Sequence, residues 1–167
     1  MPVSTEVRAA RRGPALIYLP AGHPAQAAVI AAHERAALPA IAWLGGATED
    51  VTSHVRVRQA PIEFVADLPR ARHVVHHGGL GVAAWALALG VPQVVLPTDL
   101  EKHVIAQALS AGGGGVALSA GATAESIARA IEALSRLAPS PVARIPRERR
   151  DALASRRAIA AACEGLT

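Results

Sequence analysis

The sequence predicts a single doubly wound α/β domain, Rossmann-like, with a mostly parallel sheet covered on both faces. Three observations carry this expectation. Short, nearly continuous apolar runs recur along the chain, segments with apolar residues at helical spacing alternate with them, and glycine or proline closes most junctions. With 167 residues and 51% apolar composition, the chain is long enough for one real core and too short for two.

Residues 15–19 (ALIYL) form the first strand, closed by Pro20 and Gly22, and residues 23–37 carry a helical pattern up to Pro39. Residues 40–44 form the second strand, ended by Gly45 and Gly46. Val55 and Val57 alternate with Arg56 and Arg58, the pattern of an exposed edge strand. Residues 62–65 and 73–76 are two further strands. A helix is expected over 81–89, where Val82, Ala83, Trp85, Ala86 and Leu89 repeat at three and four until Gly90 and Pro92 stop it. Residues 94–96 are a buried strand, 101–110 a helix, the glycines at 112–115 a flexible connection, and 116–118 a brief strand. The last helix of the alternation spans 123–137, with Glu125 in the first turn where the helix dipole favours an acid. This gives a leader over 1–14, a domain over 15–140 and a basic C-terminal helix over 141–167. The arginines between Arg144 and Arg157 fit a solvated helix face, with partner docking or nucleic-acid binding as the other reading.

Composition excludes several function classes. An aromatic content of 2% argues against stacking platforms for single-stranded nucleic acid, despite a net charge of +4. One cysteine, Cys163, leaves neither a disulfide framework nor a cysteine zinc site within one chain. The leader lacks an apolar core and no run has the length of a membrane span, so the chain is expected to be soluble and cytoplasmic.

In a doubly wound sheet, ligands bind at the carboxyl ends of the strands. The loops at residues 20–23, 77–81 and 97–102 are therefore the candidates. The second is the most informative: a strand running into Gly78, Gly79 and Gly81 and then a helix places bare backbone N–H groups and a positive dipole end together, an anion site in outline. His76 and His77 point to opposite sides of their strand, which disfavours a metal pair, and His77 is the one expected to donate to a phosphate. Spacing alone leaves a dinucleotide alternative open. Residues 79–84 fit the G-x-G-x-x-A form, and Asp99 stands twenty residues after Gly79, where a ribose-binding acid is expected.

The stretches VVHHGGLG at 74–81 and ALGVPQVVLP at 88–97 closely resemble the donor-binding half of GT-B glycosyltransferases of the family that glycosylates natural products and macrolides. The resemblance extends more loosely from Glu6, in what looks like the family's interdomain linker, to about residue 137, and covers half of a typical enzyme. It implies that His77 and the amides of Gly78, Gly79, Gly81 and Val82 hold the diphosphate of a UDP- or dTDP-sugar, with the loop at Gly22 and His23 closing over it. Glu101 and Lys102 occupy the places of the acid and glutamine that hold sugar hydroxyls in the family. The implied reaction is metal-independent inverting transfer to a small-molecule acceptor, with no cofactor beyond the donor sugar. The acceptor and the catalytic base are expected on a missing N-terminal domain or partner, so no catalytic residue is assigned. A second copy of the chain is a further expected partner. Val82 stands where the family carries Thr or Ser, which keeps open a second reading, a non-catalytic regulatory or assembly subunit of the same fold.

Overall fold

A computed structural model of the protein describes residues 13–134. The expected leader and the basic C-terminal helix at 141–167 lie almost wholly outside them, as do residues 135–137 of the last expected helix. The elements run β1 (Ala15–Tyr18), α1 (Gln26–Arg35), β2 (Ala40–Trp43), β3 (Asp50–Val51), β4 (Val55–Val57), α2 (Phe64–Asp67), a 3-10 turn (Leu68–Arg70), β5 (Val74–His76), α3 (Leu80–Ala88), β6 (Gln93–Val95), α4 (Leu100–Ala111), β7 (Gly115–Ala117) and α5 (Ala124–Leu134). The strands make one sheet in the order β3-β4-β2-β1-β5-β6-β7. Every pairing is parallel except that of β3 with β4.

Alternation along the central strands builds two apolar layers. Ile17 of β1 and Val75 of β5 face a core with Val29 of α1 and Ile127 and Leu134 of α5. Their neighbours Leu16 and Val74 face the opposite layer with Leu68, Val82 and Ala86. Successive side chains point to opposite faces, and here both faces are buried, so the strands read as unbroken apolar runs. On the second face Ala83 and Val95 pack with Ala106 and Leu109 of α4.

Residues 62–65 do not form the expected strand. Ile62 is buried in the second core, and the chain then turns into α2, with the Asp67 amide bonded to the Glu63 carbonyl at 2.7 Å. The Asp67 carboxylate accepts from the Glu63 amide and from Arg58, closing the turn from the side-chain end. The glycines at 112–115 are not a flexible connection either. Amides of Gly112, Gly113 and Gly114 bond back to carbonyls of Ala108, Ser110 and Leu109. A Cβ at Gly115 would lie 2.6 Å from the Gln93 carbonyl oxygen, so only glycine permits this approach of β7 to β6.

Without its antiparallel edge strand, the sheet has the strand order of a two-half nucleotide-binding fold, with the chain reversing direction of winding between β1 and β5. The carboxyl ends of those two strands therefore flank the crevice.

Candidate functional site

The crevice is built by the ends of β1 and β5. Beyond His76 the chain passes through His77 to Gly78, whose φ of +94° is a conformation open to glycine and strained for other residues. Gly79 is extended and is the N-cap of α3; it has no side chain to satisfy the helix start, and the Ala83 amide is bonded to its carbonyl. The amides of Leu80, Gly81 and Val82 precede the first intrahelical bond, so they form a cluster of donors at the positive end of the helix dipole. A Cβ at Gly81 would meet nothing within 4 Å, so this cluster opens to solvent. Val82 contributes its amide only, because its side chain is buried in the core.

His76 holds the turn in this shape. Its Nδ1 accepts the Gly78 amide at 3.1 Å, which fixes the proton on Nε2, and Nε2 donates to Gln93 Oε1 at 2.8 Å. Gln93 in turn donates to the Ala83 carbonyl in α3 at 3.3 Å. Burial pushes the His76 pKa down to about 4, so the ring stays neutral and keeps its acceptor at neutral pH. The Gly78 amide, expected as a diphosphate donor, is therefore already engaged within the chain. The contribution of Gly78 is its backbone conformation.

His77 is half-buried and lies beside the Tyr18 ring, with centroids 5.8 Å apart. Its Nε2 reaches over Gly79, since a Cβ there would lie 2.9 Å from that atom, while Nδ1 is buried without a hydrogen-bond partner. Burial lowers its pKa, and the charge of Lys102 adds to that effect against the Tyr18 carbonyl, so the neutral ring is favoured. Tyr18 also stacks on Trp43 at 4.7 Å and meets Phe64 edge-on at 5.2 Å. This half-buried aromatic wall along one side of the crevice is invisible in a composition with so few aromatic residues.

The first loop differs from expectation. His23 is buried: Nε2 donates to the Leu96 carbonyl at 2.9 Å and Nδ1 accepts the Ala25 amide at 3.2 Å. Both ring nitrogens are engaged, so His23 is not a free ligand; it staples the loop after β1 to the end of β6. Gly22 is exposed beside it with a φ of +69°. In the third loop Asp99 is the N-cap of α4, accepting the Lys102 amide at 3.0 Å, and its carboxylate also holds the Lys102 ammonium. These bonds lower the Asp99 pKa, foremost the one from the lysine side chain. Asp99 is thus a capping residue, which removes the ribose-binding acid of the dinucleotide alternative. Glu101 is exposed in the first turn of α4. Among the described residues no three His, Cys, Asp or Glu side chains gather as a metal site. Nor is any described helix long and apolar enough to cross a membrane.

The strand order and this crevice define a class, a Rossmann-like domain, and the solved glycosyltransferases that share its fold make it the Rossmann-like half of a GT-B fold. Residues 28–155 match the family described as erythromycin biosynthesis protein CIII-like, C-terminal domain, and the chain belongs to that family. It is 45% identical over 64 residues to elloramycin glycosyltransferase ElmGT of Streptomyces olivaceus, a stretch covering 38% of this chain and 16% of that protein. It is 40% identical over 62 residues to L-demethylnoviosyl transferase of Streptomyces niveus, covering 37% of this chain and 16% of the relative. Spinosyn rhamnosyltransferase SpnG, solved with thymidine diphosphate, superimposes with a TM-score of 0.60 at 25% identity over 77% of this chain and 39% of its own. Spinosyn forosaminyltransferase SpnP shares the fold, with a TM-score of 0.66 at 20% identity over 98% of this chain and 46% of its own. The chain thus spans less than half of these solved proteins, and its matched segment about a sixth of the curated ones.

Proposed function

We propose that the chain is the donor-binding half of a glycosyltransferase, which holds the diphosphate of a dTDP- or UDP-sugar at the start of α3 and works with an acceptor-binding domain or subunit. The observation that carries this reading is the uncapped N-terminus of α3 at the crevice between β1 and β5, where Gly81 leaves open space and the His77 ring reaches over Gly79. Amide donors there offset charge on a departing nucleoside diphosphate, and neutral His77 adds a donor beside them. In metal-independent inverting transfer this is the leaving-group side of the reaction, while the base and acceptor belong to the other half. Exposed apolar side chains on the first turns of α3 and α4 support such a partner: Leu80 is 66% exposed, Leu100 81% and Val104 60%. Leu100 and Val104 line a shallow groove with Thr98, Asp99, His103 and Gln107.

The test is the shift in melting temperature on adding thymidine or uridine diphosphate, with NAD as control. A rise with either nucleoside diphosphate and none with NAD is expected. Gly81→Val fills open space, so it should fold normally and yet lose the shift by covering the amides. A parent protein indifferent to both diphosphates, or a variant that responds as the parent does, would overturn the reading.

A further inference from the structure

Lys102 is the single lysine of the sequence; every other basic side chain outside the histidines is arginine. It sits against the glycine turn. A Cβ at Gly78 would lie 3.1 Å from Lys102 Cβ and 3.2 Å from its carbonyl oxygen, so the side chain springs from the rim of the anion crevice. Its charge bears on the His77 ring across that crevice, as does that of Asp99. The ammonium rests on Asp99, whose side chain is 48% exposed, against 27% for the lysine. An ion pair of this exposure is weak and exchangeable. The pair is also local, three residues apart, so breaking it disturbs no long-range packing. The α3 start offers partial charges from amides and His77 is held neutral, so a diphosphate placed there lacks a full countercharge from either. A lysine suits the task better than an arginine, being a compact charge on a flexible four-carbon stem that changes partner without a fixed fork geometry.

Building on the donor reading, we propose that Lys102 is a transferable cation: it leaves Asp99 to pair with the terminal phosphate of a nucleoside diphosphate held at α3, and Asp99 retains it near the crevice when the site is free. Its role is then charge neutralisation of the leaving group, in place of the sugar-hydroxyl contact that the family position implies. Asp99 competes with the ligand for the ammonium, so the two residues have opposite effects on affinity.

Calorimetric titration of the full chain with thymidine diphosphate and thymidine monophosphate tests this. Lys102→Gln should weaken diphosphate binding at least about tenfold, the scale of a charge-assisted contact, and monophosphate binding less than about threefold. Asp99→Asn keeps an N-cap acceptor and should tighten diphosphate binding about two- to fivefold, the range of an exposed ion pair. The double variant should behave as Lys102→Gln alone. Because the lysine is unique, amine acetylation at position 102 followed by mass spectrometry reads the same event directly, and thymidine diphosphate should protect it. Diphosphate affinity unchanged in Lys102→Gln, equal losses for mono- and diphosphate, or weaker binding in an Asp99→Asn protein of unchanged circular dichroism would each overturn the proposal. A parent that binds no nucleoside diphosphate removes the donor reading and this proposal together; a parent that binds, with an indifferent Lys102→Gln, removes only this one.

Discussion

His76 shows how a neutral buried side chain shapes a site without touching its ligand. It joins the Gly78 amide to Gln93, and through Gln93 to α3. Replacing it with leucine strands a buried amide and a buried amide oxygen, at about 1–3 kcal/mol each. His76→Leu should therefore lower unfolding free energy in urea by about 2–6 kcal/mol. Adding Gln93→Leu removes the second stranded partner and should recover part of that loss. Affinity for thymidine diphosphate, measured well below the melting temperature, should stay reduced in both proteins because the Gly78 turn remains unheld. Full recovery of affinity in the double variant would reduce His76 to a packing residue. The glycine turn and His77 were legible from sequence, since a strand entering three glycines before a helix is a local pattern. The partners of His23, His33 and His76 were not, lying 73, 40 and 17 residues away along the chain.

Among the elements, the central strands announced themselves because burial on both faces leaves continuous apolar runs, whereas exposed β3 carries no such signal and is not expected. Residues 62–65 misled for a physical reason. Ile62, Glu63, Phe64 and Val65 have strand-like composition, but Arg58 and the Glu63 amide converge on Asp67 and turn the backbone into α2. Fluid-looking glycines misled in the opposite sense, since the run at 112–115 is bonded and tightly packed. Gly115→Ala puts a carbon against the Gln93 backbone and should destabilise the domain by about 1–3 kcal/mol. Gly121→Ala meets open space and should be within about 0.5 kcal/mol of the parent, so equal unfolding midpoints for the two variants would contradict the close approach of β6 and β7. A different clamp secures the far edge: Glu34 of α1 accepts from the Thr52 hydroxyl and the amides of His54 and Val55, and the Thr52 bond leads in drawing its pKa down to about 2.

At the scale of the whole molecule, buried histidines set the response to acid. His33 and His73 meet through their Nε2 atoms at 3.1 Å, both buried, and His33 Nδ1 donates to the Val29 carbonyl. A neutral His33 must then accept at Nε2, so His73 donates. Burial lowers both pKa values, that of His73 to about 3, with the neighbouring charges of His33 and Arg72 acting in the same direction. His76 is lowered to about 4. In the unfolded chain these rings take up protons below about 6.5, whereas native His73 and His76 do so only near 3 and 4 and native His33 below its ordinary value, so the unfolded state binds more protons in that window. Stability is therefore complete above about pH 6.5 and falls as pH drops toward 4, by up to about 1.4 kcal/mol per pH unit for each of His73 and His76, with His33 acting in the same direction. Loss of the Glu34 clamp adds to this below about pH 4.5, through its folded value near 2. Urea unfolding at pH 7.5 and pH 5.0 should show a clear drop in midpoint, reduced in His73→Leu; identical midpoints would show that the rings are not buried neutral.

The placement of β1 between β2 and β5 also bears on how the chain reaches its native state. Residues 15–18 pair on one side with 40–43, but the other side waits for 74–76. Until some sixty residues further on have come into place, the central strand presents a bare hydrogen-bonding edge, and long-range parallel closure of this kind is expected to be slow and exposed to self-association.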